Sequence, residues 1–265
     1  MIENQISIPT DHSMTSHLFV LTGASRGLGA AMAEQLLEPH HQLLCLSRKT
    51  SAALAANAAR TGARLEQWPI DLAQPVEAAA RLQAWLQRLD AARFGTATLI
   101  NNAGVIARVG ALDDDRDADL SAALRVGLEA PLLLSAAFLR ATRAWPAQRR
   151  VLNISSGLGR RAMAGSAAYC AAKAGMDHFS RAVALDEAQR ERPARIVSLA
   201  PGVIDTDMQV QLRAADAAGF PEQGNFIKLK TGGQLTSPQD AAARVLAWLG
   251  RADFGANPVA DVRDA

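Results

Sequence analysis

Tyrosine occurs once in these 265 residues, cysteine twice and lysine four times, and each scarcity narrows the reading. Cys45 sits in an apolar strand-like run and Cys170 in a helix-like one, so a disulfide framework is excluded and the cytoplasm is the expected compartment. The five histidines lack the spacing of metal ligands, and no metal is expected. An excess of one charge is missing as well: 28 basic against 26 acidic residues leave a formal +2, which speaks against an extended basic face for nucleic acid. No uninterrupted apolar run approaches the roughly 18 residues of a bilayer span, so no membrane segment is expected. Internal repeats, low-complexity tracts and Pro/Gly/Ser linkers are absent, which argues for a single domain over 17–265. Residues 1–16 are polar, carry Pro9 and lack the basic-then-apolar order of a secretory signal; they read as a flexible N-terminal extension.

What is present is alternation. Short apolar runs predict strands at 17–23, 42–47, 64–70, 97–101, 149–155, 194–200 and 257–262. Between them, apolar residues recurring at three and four predict helices near 27–38, 51–61, 75–90, 117–143, 167–190 and 238–250. This is how a doubly wound α/β fold is written: a Rossmann-type parallel seven-stranded sheet with helices on both faces. The segment 205–236 breaks the alternation and is glycine-rich, which predicts a substrate lid or, alternatively, an ordinary surface excursion.

The first strand runs into Thr22-Gly23-Ala24-Ser25-Arg26-Gly27-Leu28-Gly29 and then a helix, a layout that offers backbone N–H groups and a helix N-terminus to a pyrophosphate. Its G-x-x-x-G-x-G spacing differs from the commoner G-x-G-x-x-G, and a plain structural turn would look the same. The second strand ends in Ser47-Arg48-Lys49, where an NAD enzyme places a carboxylate on the adenosine 2′-hydroxyl. A carboxylate there would repel a 2′-phosphate, whereas Arg48, with Arg26 and the Ser47 hydroxyl, suits one, so NADPH/NADP is the expected cofactor.

A serine-rich strand end, Ser155-Ser156-Gly157, precedes Tyr169, which is followed at i+4 by Lys173 on the same helical face. Reducing a carbonyl requires hydride on carbon and a proton on the developing alkoxide. A phenol near its ordinary pKa of about 10 donates poorly unless a cation stabilises its anion. Lys173 supplies that charge and Ser156 polarises the carbonyl oxygen. A serine hydrolase is disfavoured because the Gly-x-Ser-x-Gly elbow is absent. The acidic run Asp113–Asp119 invites a metal reading, but at the start of a long helix carboxylates favour the dipole. Met163, Met176 and Met208 fit either a substrate pocket or ordinary core packing.

Together Thr22–Gly29, Asp71-Leu72, Asn101-Asn102-Ala103-Gly104, Ser156, Tyr169, Lys173 and Pro201-Gly202-Val203-Ile204-Asp205-Thr206 resemble the short-chain dehydrogenase/reductase family over nearly the whole chain. The resemblance implies that Asp71 and Leu72 lie at the adenine, that Asn102, Ala103 and Gly104 support the cofactor, and that Pro201, Gly202, Ile204 and Thr206 hold the nicotinamide end. It also implies that Tyr169 and Lys173 bind the nicotinamide ribose and that the protein is a homodimer packed through the helices at 117–143 and 167–190. A narrower likeness, carried by Leu128–Pro131, Ser166–Gly175, Pro201–Met208, Phe226–Lys230 and Leu235–Pro238, is to the branch of sepiapterin reductases and bacterial benzil reductases. That branch implies a compact carbonyl substrate, often a vicinal diketone, reduced with NADPH. Asp261 best matches the aspartate that grips the pterin there; the alternative is that it merely solvates a terminus. One departure stands out: Gly127 replaces the asparagine of the family's Asn-Leu-x-Ala-Pro pattern, which is thought to hold a helix kink and a proton-relay water. Two further readings stay open on these residues: an NADPH-binding sensor or scaffold with little turnover, and an NADP-dependent alcohol dehydrogenase running the reaction in reverse.

Overall fold

The computed structural model describes residues 16–264. Nearly all of the expected N-terminal extension, residues 1–15, lies outside the described residues; Ser16 already belongs to the first strand. The strands are β1 (Ser16–Thr22), β2 (His41–Ser47), β3 (Arg64–Pro69), β4 (Phe94–Asn101), β5 (Gln148–Ile154), β6 (Arg195–Ala200) and β7 (Val259–Asp261). They form one seven-stranded sheet in the order β3-β2-β1-β4-β5-β6-β7, every pairing parallel. Runs such as Leu18–Leu21 and Leu43–Leu46 are buried along their whole length because both faces of the sheet are covered.

Two apolar layers do the covering. On one face, Met32 and Leu36 at α1 (Gly27–Gln35) and Val245 and Leu249 of α9 (Pro238–Gly250) share a core with Leu21, Leu43 and Leu199. On the other, Leu82 and Leu86 of α3 (Pro75–Leu86) pack with Leu134 and Phe138 against Leu44, Leu99 and Val151. Helix ends follow local chemistry. Ser51 caps α2 (Ala52–Thr61) by accepting from the Leu54 amide at 3.1 Å, and Ser237 caps α9 by accepting from the Asp240 amide at 3.1 Å.

The helix expected over 117–143 is present but not uniform. It runs as α4 (Asp117–Leu124), a π-helical stretch over Arg125–Glu129, and α5 (Ala130–Ala141). Pro131 lacks the N–H that would continue the α ladder, and Gly127 lets the neighbouring helix come close, so the local widening has a cause in sequence. The rod Asp117–Ala141 is 25 residues long with a mean hydropathy of 1.6, enough by length and composition to cross a bilayer. The search for an unbroken apolar run missed it. Here Ala130, Leu134, Ala137 and Phe138 are spent on the core.

The segment 205–236 contains two helices, α7 (Asp207–Ala214) and α8 (Gln223–Thr231), between β6 and α9. It begins at the carboxyl edge of the sheet, tied by a bridge between Ile204 and Thr236.

Candidate active site

In a doubly wound sheet the ligand crevice opens where the strand order reverses, here between β1 and β4. A cavity of about 680 Å³ lies along this edge. It is bordered by Gly23, Ser25, Arg26, Gly27, Leu28, Gly29, Ser47, Arg48, Asp71, Leu72, Asn102, Ala103, Gly104, Pro201, Gly202, Ile204 and Thr206, and also by Ser156, Tyr169, Lys173 and Asp261. The catalytic, cofactor and substrate residues expected from sequence therefore surround one space.

The glycine turn is shaped by contacts that leave no room for side chains. Gly23 has φ +72°, and a Cβ on Gly29 would stand 2.1 Å from the Gly23 carbonyl oxygen. Thr22, the first residue of the motif, locks this turn to the loop after β4. Its hydroxyl accepts from the amides of Asn102 and Ala103, both at 2.9 Å, and the Asn102 side chain donates back to the Thr22 carbonyl at 3.1 Å. A dinucleotide fits such a cradle, which lacks a Cβ at Gly23, Gly27 and Gly29 and opens onto the N-terminus of α1. At the end of β2, Arg48 is exposed on the rim. Two expected helpers are partly engaged already: Ser47 donates its hydroxyl to the Lys49 carbonyl at 2.7 Å, and Arg26 pairs with Asp207 at 2.6 Å across the mouth of the cavity.

Ser156 ends the loop after β5 and caps a short helical turn, Gly157–Gly159, by accepting from the Leu158 amide at 3.2 Å. Tyr169 and Lys173 rise from α6 (Ala167–Ala188), with the Lys173 Nζ 5.7 Å from the centre of the Tyr169 ring. Lys173 is buried and donates to the Ile154 carbonyl at 2.7 Å. Burial pulls its pKa down to about 8, against the upward pull of the Asp177 carboxylate. The Tyr169 phenol moves the other way from expectation. Burial pushes its pKa above the ordinary value, with the hydrogen bond to Ser156 opposing. In the resting site burial dominates, and the raised pKa keeps the proton in place at neutral pH for an alkoxide, which is far more basic.

Facing this group is an apolar wall. Met163, Leu212 and Phe220 form a small buried cluster with Ile106, Leu158, Met208 and Phe226 beside it. Met163 and Met208 thus border the cavity, whereas Met176 is fully buried in α6. Asp261, at the end of β7, borders the cavity but is already engaged. Arg263 clasps its two carboxylate oxygens at 2.7 and 2.6 Å, which holds the acid below the usual carboxylate range. Arg161, Gln209 and Arg263 also line the space and carried no sequence signal.

Glycine turn, Tyr-x-x-x-Lys helix and reversed strand order define a nicotinamide-dependent oxidoreductase of the short-chain type. The chain belongs to the short-chain dehydrogenase/reductase family, the family model for short chain dehydrogenases matching residues 17–217. It is 35% identical over 233 residues to the benzil reductase ((S)-benzoin forming) of Bacillus subtilis, covering 88% of this chain and 93% of that one. It is 33% identical over 247 residues to the sepiapterin reductase of Xenopus tropicalis, covering 88% and 91%. Among solved structures, a short-chain dehydrogenase/reductase from Burkholderia vietnamiensis is 36% identical with a TM-score of 0.64, over 94% of this chain and 98% of that one.

Proposed function

We propose that the protein is an NADPH-dependent carbonyl reductase that converts a compact ketone or vicinal diketone, benzil-like or sepiapterin-like, into the alcohol. The observation that carries this reading is the convergence of Ser156, Tyr169 and Lys173 on the cavity that the glycine turn also lines. The preference for NADPH rests on Arg48 and Arg26 at the rim and on the absence of a carboxylate at the end of β2. Gly23–Gly29, Asp71, Leu72 and Asn102 would hold the dinucleotide, which when bound supplies the hydride.

The chain's own residues do the rest. The Ser156 hydroxyl donates to the substrate oxygen and stabilises the negative charge that grows there. Tyr169 transfers its phenolic proton to that oxygen, completing the alcohol. Lys173, positively charged below about pH 8, stabilises the phenolate left behind until solvent reprotonates it. The wall of Met163, Met208, Leu212 and Phe226 suits an aryl or alkyl arm and keeps water from it. We place the protein as a homodimer through α4–α5 and α6, where Leu124, Leu132 and Leu185 stand exposed. Light scattering tests that: a particle of only 28.0 kDa removes it.

The functional test follows NADPH oxidation with benzil, smaller diketones and a pterin. Consumption with at least one diketone is expected. Tight NADPH binding with no consumption across the panel would leave a sensor, and faster turnover with NADH than with NADPH would overturn the cofactor assignment.

A further inference from the structure

One basic residue next to the site takes no part in the chemistry described above, yet groups from α6 and from β7 meet on it. Arg160 follows the helical turn that Ser156 caps. Its Nε stands 3.2 Å from Asp177 Oδ2, its Nη1 4.0 Å from Asp261 Oδ2, and its Nη2 donates to the Ala260 carbonyl at 2.8 Å. We infer that Arg160 is a positioning residue: it pins the turn carrying Ser156 between α6 and the C-terminal strand, and so sets where the Ser156 hydroxyl points.

The surroundings make this arginine hard to replace. Asp177 lies one helical turn beyond Lys173 and is 2% exposed. Its Oδ1 accepts from the hydroxyls of Ser155 and Ser198, both at 2.6 Å, and these come from the end of β5 and from β6. Two hydroxyls do not neutralise a buried carboxylate, and among the described residues the cation within ion-pair distance is Arg160. The turn is pressed onto the helix as well. A Cβ at Gly159 would fall 2.8 Å from Asp177 Oδ2 and 2.9 Å from the Lys173 carbonyl oxygen. Ser155 is thus held by Asp177 on one side of Ser156, and Arg160 is held by the same acid on the other. Losing the guanidinium frees the far end of the turn, while the hydrogen bond from Ser155 keeps the near end.

The inference rests on the reductase reading, and the experiment separates the two. Arg160 belongs to neither apolar layer, so its replacement spares the hydrophobic packing and strikes the ion pair with Asp177. Arg160→Ala should lower kcat for a diketone between about tenfold and a hundredfold, because small misplacements of an orienting group are costly. NADPH affinity should stay within about twofold. Arg160→Lys should recover only part of the loss, since an ammonium cannot reach two acids and a carbonyl in one plane. The deciding measurement is the cycle with Ser156→Ala. If Arg160 acts through Ser156, Arg160→Ala in that background changes kcat by less than about twofold; additive losses overturn the inference. Should the wild-type protein consume no NADPH with any carbonyl tried, the reductase reading fails and amide exchange decides the structural claim. Faster exchange at 156–160 in Arg160→Ala upholds it, and unchanged protection overturns it.

Discussion

Around the glycine turn the cleft is shaped by the main chain: glycines without side chains, a carbonyl packed against Gly29, and one threonine hydroxyl joining two loops. Across the same cleft, the wall bearing Ser156, Tyr169 and Lys173 is shaped by side chains: Ser155 after β5, Ser198 of β6 and Arg160 of the following turn all reach a buried acid on α6. The contrast separates two jobs. A dinucleotide offers the same phosphates to every member of such a family, so backbone recognition suffices. A reacting carbonyl needs a donor, an orienting hydroxyl and a cation at defined places, and only side chains supply these.

The comparison can be broken at either side. The largest effect is expected from Tyr169→Phe, which removes the proposed proton donor. Turnover should fall on the order of a thousandfold with NADPH affinity nearly unchanged, by stopped-flow and fluorescence titration. Gly29→Ala strikes the other side. Its methyl meets a carbonyl oxygen at 2.1 Å, backbone that has nowhere to go, so NADPH binding should weaken at least tenfold and Tm should fall, with a cost of about 1–3 kcal/mol. Arg48→Ala should raise KM for NADPH about tenfold and leave KM for NADH as it was, the loss of one charge-assisted contact. Equal effects on both cofactors would mean that Arg48 never sees the 2′-phosphate.

A gentler probe is pH. The Lys173 ammonium exists below its pKa, so kcat/KM for reduction should decline as pH rises through about 8. Because the Asp177 carboxylate raises that pKa, Asp177→Asn should move the decline to lower pH. The smallest effect is expected at the π-helical stretch. An asparagine at Gly127 would bring its Cβ to 3.0 Å from the Ala172 Cβ, next to Lys173, so the single change strains α6 while restoring the polar group. Gly127→Asn combined with Ala172→Gly relieves the contact. Turnover should then be unchanged or rise by up to about threefold in steady-state assays, the range of a modest gain in proton delivery; a clear loss would show that this chain has no use for a relay there.

The main-chain side of the cleft was readable in advance because its information is local. Gly23, Gly27 and Gly29 follow one another within a single turn, and Tyr169 and Lys173 within another. Most of the strands were legible for the same reason, as apolar runs bounded by polar residues; the exception is β3, where Arg64-Leu65-Glu66-Gln67-Trp68-Pro69 shows only a weak alternation. What escaped was assembled at a distance. Asp177 meets Ser155 across 22 residues and Ser198 across 21, and Arg160 reaches Ala260 across 100. No spacing rule marks such partners. The broken ladder at Arg125–Glu129 escaped too, since an apolar period of three and four reads the same through a π turn. Asp261 was found, but its clasp by Arg263, two residues on, alters what it offers: a neutralised acid with a guanidinium beside it.

Because Tyr169 is the sole tyrosine of the chain, the phenol at the heart of the cleft has no spectroscopic competitor. Isotope-labelled tyrosine would yield a single NMR resonance. Followed through alkaline titration and through addition of each nucleotide, that one signal would give the ionisation of the Tyr169 phenol directly, with no assignment step and no mutation.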